Sequence, residues 1–401
     1  MKYPHYKPDK TNLLLFFSNN IYYSSPVEDE MIEMNHCFFD LYSNQYNLFF
    51  LNIVPSPRVA KALNQPLDKI VTFRKALEEK FPAINVIDIS IDKYLDCVYK
   101  EKTFEIDFNL RLDIEFDVIY TSLNERFLDS RKHKNIKELS FKEIRRLTAI
   151  TQPHLSDLIL CQHATFRLMQ KTFENYNALK YQFIFDPLET TYNDFTILHP
   201  DIKNENILKK VGAVYFPLFQ YYRFVECEPC KQSTPKPFDF AVGLTINDLY
   251  RTYLFDRYLL NLYERQKDNE KYKFFINGYQ NYKFKLRNFI PHKEFYNVVG
   301  QARFGFIMNT YSGTVNSSNK FAVYLSRNVV PFLSFDCDDF SQYYPQHVKD
   351  ALSVKDGIDL IDKLRTSKYE EMNEFLQNEF QEYREFDYYK SIFDKYFLKR
   401  N

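Results

Sequence analysis

The stretch Phe238-Asp-Phe-Ala-Val-Gly-Leu-Thr-Ile-Asn-Asp-Leu-Tyr-Arg251 indicates the fold class of this chain. It begins with a short apolar run, Phe238–Leu244, and then passes into a helical pattern that continues from about Asn247 to Arg265. A short apolar run followed directly by a longer helical segment is typical of a βα unit, whose strand is buried in a parallel sheet. The stretch therefore predicts an α/β domain.

The same alternation continues through the rest of this half of the chain. The predicted elements that follow are the strand Tyr272–Asn277, a helix near His292–Gln301, the strand Phe304–Met308, the loop Asn309–Asn319, the helix Lys320–Arg327 and the strand Val329–Phe335. Beyond them, apolar residues recur at helical spacing between Met372 and Tyr383, which predicts an amphipathic helix. We expect this C-terminal segment to cross back onto the first half of the chain.

The first half alternates in the same way. Its apolar runs are Leu13–Phe17, Leu48–Val54, Asn85–Ile91, Phe116–Tyr120, Leu158–Cys161 and Tyr181–Phe185. Its helical segments are Val27–Tyr42, Leu67–Lys80, Phe141–Ile150 and Phe166–Tyr176. Strands and helices that alternate imply right-handed βαβ units and a parallel sheet covered on both faces. We therefore predict a second, doubly wound α/β domain here.

A polar stretch, ECEPCKQSTPKP at Glu226–Pro237, interrupts both patterns and is typical of a linker. The predicted organisation is a Rossmann-like domain at 1–225, a linker at 226–237, a second Rossmann-like domain at 238–365 and C-terminal helices at 366–401. Two such domains facing one another form a cleft, and ligands of open parallel sheets bind at the carboxyl ends of the strands. The residues just after each strand are therefore the candidates for a site.

Charge and composition exclude several classes of protein. The 53 basic and 53 acidic residues cancel, so the overall charge selects neither nucleic acid nor an acidic partner. No stretch approaches the ~18 consecutive apolar residues of a membrane span, and the start MKYPHYKPDK lacks the apolar run of a signal peptide. We expect a cytoplasmic protein with reduced cysteines. The close pair Cys227 and Cys230 lacks a second pair to complete a zinc site.

Glycine usage indicates which half holds a nucleotide. All seven glycines lie between Gly212 and Gly357, so no glycine-rich phosphate loop precedes them. The motifs GxGxxG and GxxxxGK[ST] are absent, which argues against a standard dinucleotide site and a P-loop kinase. Gly243 would let the backbone approach a phosphate, the following helix offers free N–H groups, and Arg251 offers charge-assisted bonds. A helix cap with a surface arginine is the alternative.

The loop Asn309–Asn319, NTYSGTVNSSN, is the second candidate for ligand binding in this half. Its small, hydroxyl-rich residues lie between a predicted strand and a predicted helix. Such a loop suits sugar hydroxyls and phosphates, which bind amides, hydroxyls and the helix N-terminal dipole. A merely solvated loop would have the same composition.

A basic stretch lies in the first half, at Arg126–Arg146 (RFLDSRKHKNIKELSFKEIRR). It carries eight Lys or Arg against three acidic residues and follows the predicted strand Phe116–Tyr120. On a loop facing the cleft it would attract a phosphate backbone, whereas a solvated helix face is the alternative. The candidate contacts are Arg126, Arg131, Lys132, Lys134, Arg145 and Arg146.

Six patches of the sequence share the order and spacing of a known family. They are Val214–Tyr221, Phe240–Arg251, Phe274–Gly278, Asn288–Pro291, Lys320 and Leu333–Asp336. Together they resemble the DNA β-glucosyltransferases of T-even phages, inverting enzymes that transfer glucose from UDP-glucose to 5-hydroxymethylcytosine in duplex DNA. The resemblance implies the GT-B architecture, in which two Rossmann-like domains face a cleft.

The resemblance also implies how a nucleotide sugar such as UDP-glucose would bind. It places phosphate-binding arginines of the family on Arg251 and Lys320, and a uracil-reading loop on Asn288–Pro291. Asn247 stands where a further phosphate arginine would be, and Val323 where a ribose-binding glutamate would be, so the donor could be bound differently. The candidate donor-binding residues are Gly243, Thr245, Arg251, Gly278, Ile290, Ser312, Gly313 and Lys320.

One register of the resemblance places Ser122 on the family's catalytic aspartate. An inverting transfer needs a base within ~3 Å of the acceptor hydroxyl, and the nearby carboxylates Glu125 and Asp129 could supply it. We favour Glu125. His163, after the predicted strand Leu158–Cys161, could also be catalytic or bind substrate, although a lone histidine is more often structural.

A divalent metal is not indicated by a motif. Asp336-Cys-Asp338 has the DxD spacing of the other major glycosyltransferase fold, but it lies too near the C-terminus for that fold. The leading hypothesis is transfer from a nucleotide sugar to a hydroxymethylated pyrimidine in double-stranded DNA, in the host cytoplasm if the origin is a phage. The alternatives are a GT-B enzyme that acts on a surface glycan or lipid, and a non-catalytic nucleotide or nucleic-acid binding module.

Overall fold

The computed structural model of the chain describes residues 3–16, 30–54, 57–62, 82–108, 110–122, 138–151, 156–174, 176–184, 191–199, 212–226, 236–246, 249–265, 270–281, 284–287, 292–308, 319–334 and 345–398. These residues form two compact units, one within Met1–Pro200 and Leu208–Tyr215 and the other within Phe216–Asn401. The second unit begins before the linker that the sequence predicted. The predicted helix Leu67–Lys80 lies outside the described residues.

The first unit is built on a sheet of parallel strands, here called sheet A. Its described strands are β1 (Thr11–Phe16), β2 (Tyr46–Ile53), β3 (Asn85–Ile89), β4 (Val118–Thr121), β5 (Leu179–Phe183), β6 (Thr196–His199) and β7 (Ala213–Tyr215). Their order is β3-β2-β1-β4-β5-β6-β7, and every neighbouring pair is parallel. β2 is buried along its whole length, as expected for a strand covered on both faces.

Helices flank sheet A. Those described are α1 (Glu30–Asp40), α2 (Pro57–Ala62), α3 (Asp92–Glu101), α4 (Phe141–Thr151) and α5 (Ser156–Glu174). One core cluster joins Leu14 of β1 and Phe49 of β2 to Leu95 of α3 and Phe173 of α5. The chain crosses from β3 to the far side of β1 to form β4, so the switch point of this sheet lies between β1 and β4.

One predicted strand of the first unit is wrong. Leu158–Cys161 lies in α5, a helix of 19 residues of which twelve are buried. Every residue from Leu158 to Phe166 is buried, so this part of the helix carries no polar stripe and has the same pattern as a buried strand. The strand that follows this helix is β5, which begins at Leu179.

The second unit contains sheet B. Its described strands are β8 (Phe238–Thr245), β9 (Tyr272–Asn281), β10 (Phe284–Arg287), β11 (Ala302–Ile307), β12 (Val330–Ser334) and β13 (Ser353–Val354), in the order β10-β9-β8-β11-β12-β13. All neighbouring pairs are parallel except β9 and β10, which form an antiparallel pair. β9 is longer than predicted because it continues beyond Asn277 to pair with β10.

The described helices of the second unit are α6 (Leu218–Tyr221), α7 (Leu249–Tyr258), α8 (Leu260–Arg265), α9 (His292–Gly300), α10 (Asn319–Ser326), α11 (Gln346–Leu352), α12 (Gly357–Thr366), α13 (Tyr369–Glu379) and α14 (Phe386–Phe397). A π-helical turn, Tyr222–Glu226, follows α6. The two parallel-strand sheets with flanking helices confirm the predicted α/β fold class.

The C-terminal helix α14 is held by aromatic contacts. Phe393 lies 4.8 Å from Phe216 and 5.6 Å from Tyr221 between ring centroids, and Tyr389 lies 5.5 Å from Tyr221. Aromatic pairs at such distances stabilise a fold beyond the area that they bury. The sequence assigned Phe216 and Tyr221 to the first domain, but these contacts group them with α14 in the second unit.

The start of α12 allows a modest test of the fold. The carboxylate of Asp356 accepts hydrogen bonds from the backbone N–H groups of Ile358 at 2.8 Å and Asp359 at 3.0 Å. Because these N–H groups have no partner inside the helix, Asp356→Ala should lower the free energy of unfolding by about 1 kcal/mol. Urea denaturation measures this change. Asp356→Asn, which keeps the accepting oxygen, should restore most of the loss, and equal losses in both variants would contradict the capping role.

Candidate functional site

The carboxyl end of β8 lies at the switch point of sheet B. β9 pairs with one side of β8 and β11 with the other, so the chain reverses its direction of strand addition between β8 and β11. In open α/β sheets, ligands bind outside the carboxyl ends of the strands at such a point. The elements that follow β8 and β11 are the helices α7 and α10, and the N-terminal end of a helix carries a partial positive charge. This position can therefore hold an anion.

Gly243, near the end of β8, is required by packing within the protein. A Cβ atom added there would lie 2.3 Å from an atom of the Phe295 ring, because α9 approaches the strand closely at this point. Phe295 is itself buried. The sequence interpretation gave Gly243 the role of admitting a phosphate to the backbone. That role stays a prediction, and close packing between helix and strand gives a second reason for this glycine, a use that glycines also have in Rossmann-like folds.

Lys320 and Arg251 come together at this end of β8. The ammonium Nζ of Lys320 donates a hydrogen bond to the carbonyl oxygen of Gly243 at 2.6 Å. Burial, together with the nearby positive charge of Arg251, lowers the pKa of Lys320 to about 8. Two positive charges close together are unfavourable, and an anion beside them relieves their repulsion. Their arrangement favours a negatively charged ligand between or beside them.

Close packing of α10 on the sheet fixes the position of Lys320. Tyr324, one turn further along α10, places its ring against Gly305 of β11, where an added Cβ would lie 2.9 Å away. The Tyr324 hydroxyl donates to the Phe306 carbonyl oxygen at 3.4 Å, and burial raises the pKa of Tyr324. Val323 is buried too, so the position of the family's ribose-binding glutamate is occupied here by a core residue.

The other predicted donor-binding residues divide into two groups. Thr245 is the last residue of β8 and pairs with Asn277, so it lies at the carboxyl edge. Gly278 follows Asn277 within β9, although the resemblance predicted a strand that ends there. Ile290, Ser312 and Gly313 lie outside the described residues. The structure therefore brings Gly243, Thr245, Arg251, Gly278 and Lys320 to one region of sheet B.

The corresponding region of sheet A is described only in part. Its switch point lies at the ends of β1 and β4, where the hydroxyl of Thr121 donates to the carbonyl oxygen of Phe16 at 2.8 Å. Ser122, which follows, is buried. The predicted catalytic residues Glu125 and Asp129 lie outside the described residues, and so do Arg126, Arg131, Lys132 and Lys134.

Arg145 and Arg146 are exposed on α4. This helix begins with a capping box: the Glu143 carboxylate accepts from the backbone N–H of Ser140 at 2.8 Å and from its hydroxyl at 2.5 Å, and the Ser140 hydroxyl accepts from the Glu143 N–H at 3.3 Å. These bonds to Ser140 lower the pKa of Glu143. The Ser-x-x-Glu spacing, which is visible in the sequence, marks the same start of α4 that the apolar pattern predicted.

The structure does not place His163 at a strand end. It lies in the middle of α5, has 0% exposure, and packs its ring 4.6 Å from that of Phe104. The expectation of a cleft-facing His163 followed from the wrong strand assignment of Leu158–Cys161. In this position its imidazole belongs to the core of the first unit.

The described residues contain neither a candidate metal site nor a helix that could cross a membrane. Across the described ranges, no group of three or more His, Cys, Asp or Glu side chains is arranged to hold a metal ion. Cys227, Cys230, Asp336 and Asp338 lie outside those ranges. Of the helices that the structure describes, none is long and apolar enough to cross a membrane.

Comparison with known proteins identifies the fold. No protein-family model matches the chain, and no curated protein sequence matches it. A DNA-modifying β-glucosyltransferase, solved with and without its substrate uridine diphosphoglucose, is similar with a TM-score of 0.52 and 14% identity, over 96% of this chain and 99% of its own. The T4 phage β-glucosyltransferase is similar with a TM-score of 0.53 and 12% identity, over 97% of this chain and 100% of its own. At such identities the likeness shows the fold alone, and it confirms the GT-B fold expected from the resemblance.

Proposed function

We propose that this chain is a glycosyltransferase that uses a nucleotide-sugar donor. The observation that carries the proposal is the pair of cations, Arg251 and Lys320, at the carboxyl end of β8. A nucleotide sugar presents a diphosphate, whose negative charges match these two side chains and the adjoining helix N-termini. By analogy, the GT-B fold that the chain shares with two solved β-glucosyltransferases supports the same interpretation.

The proposed reaction is a direct displacement. The acceptor hydroxyl oxygen bonds to the anomeric carbon of the sugar while the bond from that carbon to the diphosphate oxygen breaks. The nucleoside diphosphate leaves with the bonding electrons, and the hydroxyl proton passes to a carboxylate base. Arg251 and Lys320 would stabilise the negative charge that grows on the leaving group. Glu125 remains our proposed base, with Asp129 as the second candidate.

We propose a hydroxymethylated pyrimidine in double-stranded DNA as the acceptor, and UDP-glucose or a similar nucleotide sugar as the donor. A solved β-glucosyltransferase of the same fold is described as a DNA-modifying enzyme with uridine diphosphoglucose as its substrate. Arg145 and Arg146, exposed on α4, suit a phosphate backbone. DNA and nucleotide sugars occur together in the cytoplasm, which we propose as the location, or the host cytoplasm for a protein of phage origin.

A transfer assay tests this proposal. Labelled nucleotide sugars are incubated with the purified protein and either hydroxymethylated or unmodified DNA of the same sequence. We expect label only in the hydroxymethylated DNA. Transfer to a glycan or lipid acceptor but to neither DNA would favour the enzyme of surface polymers. Binding without hydrolysis or transfer, for every donor tried, would favour the non-catalytic module.

Lys320 should make donor binding depend on pH. An adjacent diphosphate favours the charged ammonium, so binding raises the Lys320 pKa from its value of about 8. Between about pH 8 and pH 9, binding of UDP-glucose should therefore take up a fraction of a proton and weaken as the pH rises. Titration calorimetry in buffers of different ionisation enthalpy measures that uptake. Lys320→Arg, which stays charged, should bind without the uptake, and equal uptake in both proteins would contradict the assignment.

Lys320 also makes the stability of the free protein depend on pH, in the direction opposite to donor binding. The pKa of Lys320 is lower in the folded chain, about 8, than its ordinary value of 10.5. Between these values the unfolded chain binds a proton that the folded chain does not, so the contribution of Lys320 to stability increases as the pH rises through this range. Donor affinity and the stability of the free protein should thus move in opposite directions above about pH 8.

A further inference from the structure

The solvent-facing side of α4 combines basic and apolar groups. Phe141, Ile144 and Thr148 face the core, whereas Lys142, Glu143, Arg145, Arg146, Ala149 and Ile150 are exposed. Residues three and four apart are neighbours on a helix, so the exposed residues form one continuous strip. We call this strip the basic face of α4. The three cations lie on its first two turns, and Ala149 and Ile150 complete it at the C-terminal end of the helix.

The end of this strip lies toward the carboxyl edge of sheet A. β4 ends at that edge, and α5 must run from it back to the opposite edge, where β5 begins. The last turn of α4 meets the start of α5, because the hydroxyls of Thr148 and Ser156 are 2.7 Å apart. Arg145, Arg146 and Ile150 are therefore on the side of the sheet at which parallel α/β domains bind ligands.

Ile150 is the unusual member of the strip. It is 74% exposed, and its neighbours on the helix surface are Arg146, Ala149 and the partly buried Leu147. A single exposed apolar residue is ordinary on a protein surface and by itself indicates nothing. Here, however, it follows two arginines and lies next to the small side chain of Ala149, so a partner can approach the helix closely. The carboxylate of Glu143 is engaged with Ser140 at the other end of the helix.

Two arginines beside an exposed aliphatic side chain complement a nucleic-acid duplex, which presents phosphates outside and stacked bases in its grooves. Arginines bind phosphate oxygens, and proteins that kink DNA insert Ile, Leu, Phe or Met between base steps. Separation of one base step costs a few kcal/mol and eases removal of a neighbouring base from the stack. We propose that Arg145 and Arg146 hold the backbone of duplex DNA while Ile150 enters the groove as an apolar wedge beside the target base. This inference rests on the proposed function, whose acceptor is such a base.

A comparison of duplex and single-stranded acceptors tests the wedge. For Ile150→Ala, kcat/KM for transfer to a hydroxymethylated base in a duplex should fall about tenfold. Without the isoleucine side chain, the enzyme no longer contributes a part of the few kcal/mol needed to separate the base step. Transfer to the same base in a single strand should be unchanged, because no stack has to be opened. Ile358→Ala is the matched control, since Ile358 is 66% exposed in the second unit. Equal losses on both acceptors, or no loss on the duplex, would overturn the wedge.

The arginines are tested by the salt dependence of duplex binding, which is measured by fluorescence anisotropy and does not require transfer. Arg145→Ala and Arg146→Ala should each reduce the slope of log K against log salt by about 1. Arg111→Ala, an exposed arginine on the segment before β4, should leave the slope unchanged. Unchanged slopes in all three variants would overturn the surface assignment.

Two outcomes separate this inference from the proposed function. If the protein transfers sugar to no DNA but its duplex affinity still depends on Arg145, Arg146 and Ile150, the proposed acceptor is wrong and the DNA surface is upheld. If Ile150→Ala abolishes binding to phosphatidylserine vesicles and leaves duplex binding unchanged, the partner is an anionic membrane surface and the inference is overturned. Melting temperatures of all variants should match that of the unchanged protein, since each substituted side chain is exposed.

Discussion

Replacement of Arg251 by Ala or of Lys320 by Met should each weaken binding of the nucleotide-sugar donor about 10- to 100-fold. A hydrogen bond to a charged group contributes roughly 1.5–3 kcal/mol, and each factor of ten in affinity corresponds to about 1.4 kcal/mol. Transfer should fall further than binding, because charge on the leaving diphosphate grows in the transition state. Titration calorimetry with UDP-glucose and steady-state transfer rates measure the two effects.

The stability of these variants distinguishes a ligand site from a structural role. Burial and the nearby charge of Arg251 both lower the pKa of Lys320, so Lys320→Met removes a buried charge and a repulsion between two cations from the free protein. Its melting temperature should therefore not fall, even though the donor affinity does. Arg265→Ala, at the exposed end of α8, is the control and should change neither quantity. A large loss of stability with unchanged affinity would show that Lys320 serves the fold alone.

Gly243→Ala should lower the free energy of unfolding by about 1–3 kcal/mol, the usual cost of overpacking a well-packed core. The added methyl group would lie 2.3 Å and 2.5 Å from two ring atoms of Phe295, so the strand or α9 has to shift. The effect should appear in urea denaturation as a lower midpoint with an unchanged slope. Donor affinity should fall as well, because Lys320 is held by the carbonyl oxygen of Gly243.

A double-mutant cycle with Phe295→Ala decides whether that ring is the cause. Phe295→Ala removes the atoms that the new methyl group would meet, so Gly243→Ala should cost much less in that background. Gly212→Ala is the comparison: Gly212 has φ of +65° and no atom within 4 Å of an added Cβ, so its cost comes from backbone conformation and should not depend on Phe295. Equal costs of Gly243→Ala with and without the ring would contradict the packing explanation.

Local patterns predicted much of the fold. The predicted strand Phe238–Leu244 and the helix after it correspond to β8 and to α7 with α8, and Phe141–Ile150 corresponds to α4. These succeeded because a buried parallel strand is short and apolar throughout, whereas a surface helix shows one apolar stripe. The same rule failed at Leu158–Cys161, which lies in the part of a helix where every residue is buried. That error also misplaced His163, which the core encloses.

The candidate site was predicted in its parts but not in its geometry. The sequence indicated Arg251 from its position after a strand and Lys320 from a resemblance, and nothing in the local pattern brought the two together. Their proximity arises because β11 pairs beside β8 and α10 packs on that sheet. Burial there, together with the charge of Arg251, lowers the pKa of Lys320. The sequence also did not show why position 243 requires a glycine, because the ring that contacts it belongs to Phe295, on a helix far along the chain.

By itself, the sequence determined that the chain forms two α/β units and that basic residues gather in the first, and it predicted a nucleotide site in the second. Those conclusions depend on composition and short-range periodicity, which neighbouring residues set. Only the tertiary structure decided which side chains meet at the carboxyl end of β8 and which side of α4 faces solvent. Strand order and helix packing are contacts between residues far apart in the chain, and no local pattern specifies them.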